Sequence, residues 1–254
     1  MNQKNRIEIL KQIGKLLIEK YKEQFVLFGV AGSTALNQTT KYSDIEAICI
    51  LTGEFKTKDI HFIYKNRYFH SWIDSKNAIE NNLKNVNLLW SIEMGHFQIM
   101  KLIYGNKDYL TYLRSIGDKI PKNTFKKVIE RNLPLLFDIK DKFKSIKVRN
   151  DISKLDTSIV LSHLIFNTNL ILGLLNRKPL YGSGYRMLDC VLKFEILPKN
   201  YKKEILEMLY TIKIDKLIEL SESFIQKFIA FLRTKGIEFQ PIDRLKELPN
   251  LFRD

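Results

Sequence analysis

The sequence predicts an α+β or α/β amino-terminal unit followed by a helical carboxy-terminal domain. Two observations carry this. The β-prone and alternating apolar runs fall between Phe25 and Ile73, and helical spacing dominates from there to the end, so strands and helices are segregated along the chain. With 254 residues, 45% of them hydrophobic, a chain of this size buries about 70–75% of its unfolded surface and forms a core without staples.

Each element has a local reason. From Arg6 to Tyr21, Ile7, Ile9, Leu10, Ile13, Leu16, Leu17 and Ile18 recur at three- and four-residue steps among lysines, the period of an amphipathic helix. Phe25–Val30 is a short β-prone run. The Gly32-Ser33 turn follows, with room for a short helix, and Asp44–Leu51 reads as a second strand. Ile60–Ile73 continues in strand-like alternation. Helices are then predicted around Ala78–Leu89, Tyr109–Ile116, Thr124–Val148, Thr157–Leu175, Tyr185–Leu192, Tyr201–Tyr210 and Ile214–Gly236. Pro134 argues against one continuous helix from Thr124; Asn132 is the candidate cap of a new helix with Pro134 in its first turn. Gly117–Pro121 is the point most like a boundary, giving domains 1–118 and 119–254.

Composition narrows the function. Forty-two Lys+Arg against 28 Asp+Glu give a net charge of +14, which points to anionic company. Between Lys119 and Arg149 ten basic residues face three acidic ones, half of that net charge. Phe125, Phe137 and Phe143 fall there at core-like spacing rather than as exposed stacking platforms, so a nucleic-acid partner is the less favoured reading. Two cysteines, Cys49 and Cys190, sit in apolar runs, make neither a disulfide framework nor a four-ligand zinc set, and are read as core thiols of a cytoplasmic protein. The start of the chain lacks the pattern of a signal peptide. The most apolar window, Ile159–Leu175, is interrupted by Ser162, His163, Asn167, Thr168 and Asn169, and is predicted to be a buried helix, with His163 a satisfied core residue, rather than a membrane span of about 20 residues.

The most specific feature is Gly32-Ser33 followed by Asp44-Ile45-Glu46, each block at the end of an apolar strand. Glycine lets backbone approach a phosphate, and an adjacent hydroxyl and free N–H groups can bind its oxygens. Strand alternation puts Asp44 and Glu46 on one face and Ile45 on the other. Two neighbouring carboxylates repel unless a cation lies between them, and hard oxygen ligands beside a triphosphate suit Mg2+. Either half alone is usually a turn or a solvent-facing edge.

Gly29-Val30-Ala31-Gly32-Ser33 with Tyr42-Ser43-Asp44-Ile45-Glu46 resembles the signature of the DNA polymerase β-like nucleotidyltransferases, and within them the kanamycin nucleotidyltransferase-like group. Further matches run in order through Ile73-Asp74-Ser75, Trp90, Gly95-His96-Phe97, Ile103-Tyr104, Tyr109-Leu110, Thr124-Phe125, Leu136-Phe137-Asp138, Lys142 and Ile146, with a fainter echo over Leu170–Arg177. The resemblance implies an α+β nucleotidyltransferase fold, a mixed sheet with flanking helices ahead of the helical domain, and transfer of AMP from ATP to a hydroxyl of a small-molecule acceptor. Asp44 and Glu46 would hold Mg2+, while Gly32, Ser33, Ser43 and Lys142 would contact the nucleotide. Asp138 would be the general base, where the family has a glutamate. It also implies a homodimer with Asp138 and Lys142 contributed across the interface. By spacing alone, Asp138 and Lys142 form an ordinary surface helix pair.

Three departures mark the chain. Two glutamates of the family's acceptor cleft align with His61 and His70, which are mostly neutral at pH 7 and do not replace carboxylates facing an ammonium group. With Asp74 they are the predicted acceptor lining, and the expected acceptor is an antibiotic-like molecule, aminoglycoside-like or less cationic. The turn differs in length by one residue. The family's arginine after the serine is missing from Thr34-Ala35-Leu36-Asn37, with Lys41 one replacement. No zinc set is evident around His61 and His70. Transfer to RNA or protein, and a non-catalytic nucleotide- or RNA-binding protein of the same fold, are the alternative readings.

Overall fold

Asn2 accepts a hydrogen bond from the Asn5 N–H and so starts helix α1 (Gln3–Tyr21) slightly before the apolar period begins. In the computed structural model, which describes residues 2–149, 154–182 and 185–239, α1 is followed by β1 (Phe25–Val30), α2 (Gly32–Ala35), β2 (Ile45–Leu51), β3 (Lys58–Tyr64) and β4 (Arg67–Ser75). Next come α3 (Lys76–Lys84), α4 (Trp90–Ile99), β5 (Lys101–Gly105), α5 (Lys107–Ser115), α6 (Lys122–Asn132), α7 (Pro134–Val148), α8 (Lys154–Asn176), α9 (Tyr185–Val191), α10 (Tyr201–Tyr210) and α11 (Ile214–Thr234). The five strands form one mixed sheet in the order β3-β4-β2-β1-β5. β2 and β4 are parallel and every other pair is antiparallel. Ile9 and Leu10 of α1 pack with Phe28, Val30, Ile45, Ala47, Cys49, Leu51, Phe69 and Ile73 as a core on the sheet.

The alternation from Ile60 to Ile73 is not one strand but a hairpin. Lys65 and Asn66 both take positive φ (48° and 57°), as a two-residue turn matching strand twist requires. No glycine announces it, so the sequence hides the turn. β5 and α4 were also outside the predicted elements: β5 is a short edge strand, and α4 is apolar on most sides, with little amphipathic contrast to read.

The chain divides into two units, Met1–Phe125 with Asn169–Ile196, and Lys126–Thr168 with Leu197–Asp254. Residues 169–196, placed by the sequence in the helical half, thus belong with the sheet. The predicted break near Pro134 is present: α6 ends at Asn132 and Pro134 opens α7. Asn132 is not the cap; its side chain donates back to the Val128 carbonyl. Within the second unit α7 packs against α11; Leu136, Ile139 and Phe143 of α7 are buried, as are Phe224, Ile225 and Phe228 of α11.

Two core assignments change. His163 is exposed on α8 rather than buried. α8 is long and apolar enough to cross a membrane by length and composition, with half of that stretch buried. Its polar residues do not interrupt it, because Ser162, Asn167 and Thr168 donate to the helix's own carbonyls. Cys49 is a core thiol, its pKa pushed up to about 12 by burial; Cys190 is half-buried and donates weakly to the Tyr181 carbonyl.

Candidate functional site

Val30 and Ala47 are cross-strand partners at the end of the β1–β2 ladder, and the Ala31 N–H donates to the Glu46 carbonyl at 2.8 Å. This brings the turn after β1 against the start of β2. Gly32 has φ +58°, and a Cβ there would collide with the Glu46 carboxylate, so glycine is required by both backbone and space. Ser33 is buried in the same turn, and its carbonyl accepts from the Gln38 N–H at 2.9 Å.

Asp44 lies just before β2 and is exposed, Ile45 is fully buried and Glu46 half-buried, which is the alternation expected of this stretch. The Glu46 carboxyl pKa is raised, first by burial and then by the neighbouring Asp44 charge, while His70 and Arg186 pull it down. Two like charges and desolvation thus meet at one point on the sheet. The donors there are hard oxygens, and Gly32 leaves the carboxylate uncovered by a side chain; these residues fit a divalent cation.

The loop that presents Asp44 is clamped by a residue outside the predicted set. Arg6, fully buried on α1, donates to the carbonyls of Asp44 at 2.7 Å, Ser43 at 2.6 Å and Thr40 at 3.2 Å. Its pKa is lowered by burial and by Arg67, partly offset by Asp44. Its place three and four residues before Ile9 and Leu10 is the one faint sign in the sequence, since a charge on an amphipathic helix is ordinarily solvated. Arg6→Leu leaves these carbonyls without their donor, and we expect a loss of about 2–4 kcal/mol in stability with weaker metal affinity. Thermal unfolding with and without Mg2+ measures both, and an unchanged Tm contradicts the clamp.

Ser43 uses its hydroxyl within the loop, accepting from the Thr40 N–H at 2.9 Å. Arg186 on α9 is a second residue outside the predicted set, with no motif around it to mark it. It acts on Glu46 electrostatically and donates to the Gln38 carbonyl at 3.4 Å. Lys41 instead lies over the Tyr42 ring.

His70 is the register partner of Glu46 in the parallel β2–β4 pair, and His61 is the cross-strand partner of His70 on β3. The predicted lining histidines therefore stand beside the carboxylates. Asp59 joins them, its pKa raised by desolvation but brought down overall by the hydrogen bonds from His70 and His61. Asp74 is placed differently: it is buried at the end of β4, accepting from the Thr57 hydroxyl at 3.0 Å and the Ser75 N–H at 2.8 Å, and so shapes a corner instead of a lining. Asp138 and Lys142, in the second unit, form a 2.7 Å ion pair along α7, both half exposed. A cavity of about 540 Å3 in the first unit, lined by Trp90, Met94, Arg114, Arg177 and Tyr181 among others, contains none of the predicted residues.

No protein-family model matches the chain. Two curated relatives, each an aminoglycoside nucleotidyltransferase (4'), from Staphylococcus aureus and a Bacillus species, are 22% identical to it, covering 79% of this chain and 79% of each relative. Among solved structures, a nucleotidyltransferase-like protein from Exiguobacterium sibiricum aligns at 12% identity and a TM-score of 0.47 over 89% of this chain and 75% of that one. Across most of its length the chain is therefore similar to aminoglycoside nucleotidyltransferases, which are enzymes of the nucleotidyltransferase class.

Proposed function

We propose that the protein is a Mg2+-dependent nucleotidyltransferase that moves AMP from ATP to a hydroxyl of a small molecule, an antibiotic of the aminoglycoside kind or one less cationic. The observation that carries this is the approach of the Glu46 carboxylate to Gly32 with the Asp44 charge beside it. Asp44 and Glu46 would hold Mg2+, which supplies neutralisation of the phosphate oxygens when bound. Ser33 and the backbone of the Gly32 turn bind phosphate oxygens, Ser43 holds the loop that presents Asp44, and Arg186 supplies the cation that the turn itself lacks. Asp138 takes the proton of the acceptor hydroxyl as its oxygen attacks the α-phosphorus. The α–β phosphoanhydride bond breaks and pyrophosphate leaves. Lys142, paired with Asp138, contacts the nucleotide phosphate. In the homodimer we propose, this pair is contributed across the subunit interface.

His61 and His70 border the carboxylates through register with Glu46. An imidazole brings no negative charge to a polycation, as a glutamate would, which favours an acceptor with fewer ammonium groups. The relatives are named for aminoglycosides, so that class heads the substrate panel. Incubation with labelled ATP, Mg2+ and a panel of aminoglycosides, lincosamides and tRNA is expected to label a small molecule. Label in RNA or protein, or none at all, overturns the proposal.

Asp138→Asn is expected to slow transfer about 10²–10⁴-fold while ATP still binds, as loss of a general base does. Single-turnover rates beside nucleotide affinity make the check. An unchanged rate returns Asp138 to a surface pair worth about 0.2–0.5 kcal/mol.

A further inference from the structure

Asp59 and His61 stand two residues apart on β3, and His70 is directly opposite His61 on β4. Strand alternation places all three on one face of the hairpin. The two imidazoles stack with centroids 4.4 Å apart. Nε2 of His70 lies 2.6 Å from one oxygen of Asp59, and Nε2 of His61 lies 3.1 Å from the other. One donor atom from each residue falls within a 4.8 Å cluster. The second nitrogen of His61, Nδ1, is engaged by the Tyr68 hydroxyl at 2.5 Å. That contact fixes the ring with Nε2 turned to the cluster, as an outer partner of a metal-ligating histidine does.

We propose that Asp59, His61 and His70 form a binding site for a divalent first-row transition metal, Zn2+ foremost, distinct from the Asp44–Glu46 pair. Two imidazoles and one carboxylate are a borderline nitrogen-and-oxygen set, which suits Zn2+ and its neighbours and not Mg2+. Three protein ligands leave a coordination position for water or another small ligand. His61 and Asp59 are half exposed, which gives an ion a way in. The tight Lys65-Asn66 turn and the continuous β3–β4 register hold the ligands at fixed spacing. The sequence showed two histidines and no complete set; the third ligand appears only when Asp59 is brought onto their face by the hairpin. The site stands whether or not the protein transfers nucleotides.

The test uses the full chain, stripped with chelator and kept in millimolar Mg2+ so that hard-oxygen sites are filled. Zn2+ is titrated against a chromophoric competitor, and Co2+ serves as a spectroscopic probe. One equivalent of Zn2+ is expected to bind, with Co2+ giving visible d–d absorption. His61→Gln with His70→Gln should weaken Zn2+ by about 100-fold or more, and Tyr68→Phe by about 10-fold, the outer-partner effect. Asp44→Asn should keep the Zn2+ site intact. Absence of uptake by the parent protein overturns the proposal. So does unchanged affinity in the double-histidine variant, or loss of the Co2+ signal on Asp44→Asn alone. Circular dichroism of each variant ensures that a lost signal belongs to a folded protein.

Discussion

Asp44→Asn is expected to cut nucleotidyl transfer by about three powers of ten, the consequence of losing several kcal/mol of charge stabilisation in the transition state. The fold should survive, because Asp44 is exposed and outside the β2 ladder. Its charge also raises the Glu46 pKa, so removing it relieves repulsion, and the metal-free variant should melt no lower than the parent. Mg2+ should raise the Tm of the parent by mass action and leave that of the variant unmoved. Near-normal turnover by the folded variant refutes the assignment. The same geometry fixes a pH dependence. A carboxyl whose folded pKa is raised binds its proton more tightly in the folded state, so its contribution to metal-free stability is full below the unfolded pKa. That contribution falls as pH rises through the unfolded and then the folded value. Metal binding runs the other way, strengthening as Glu46 ionises. Glu46→Gln should flatten both profiles from the ordinary carboxylate range upward, which thermal unfolding and Mg2+ titration read directly.

Gly32→Ala is the second large effect. Alanine at φ +58° is strained, and its Cβ would occupy the place of the Glu46 carboxylate. Either the turn or the acid must move. We expect a loss of about 1–3 kcal/mol in stability and near-complete loss of transfer, since displacing Glu46 by an ångström removes the pairing with Asp44. Denaturant unfolding and turnover together make the measurement. An alanine variant with parental stability and rate would show that the turn and Glu46 are independent.

These effects rest on features of unequal visibility in the sequence. The β1–turn–β2 segment was legible because apolar runs, a Gly-Ser pair and an Asp-x-Glu alternation all report local geometry. α10 and α11 were legible for the same reason, their apolar periods being strong. The β3–β4 turn escaped because Lys65-Asn66 adopts a conformation usually supplied by glycine. Arg186 is 140 residues from Glu46 in sequence, and only the return of residues 169–196 to the sheet unit brings it near. Arg6 was hidden differently: charge on an amphipathic helix is ordinarily solvated, and its burial becomes intelligible only when three loop carbonyls are seen around it. Asp74 shows the converse. Its sequence match suggested a lining acid, but Thr57 and the Ser75 N–H occupy it.

The most direct test is a crystal of the protein with Mn2+ and a non-hydrolysable ATP analogue, read by anomalous scattering. A manganese peak bonded to both Asp44 and Glu46 and to the nucleotide's phosphates, with the Gly32-Ser33 turn against those phosphates, is the predicted result. A nucleotide bound elsewhere, or a metal touching neither acid, would contradict it.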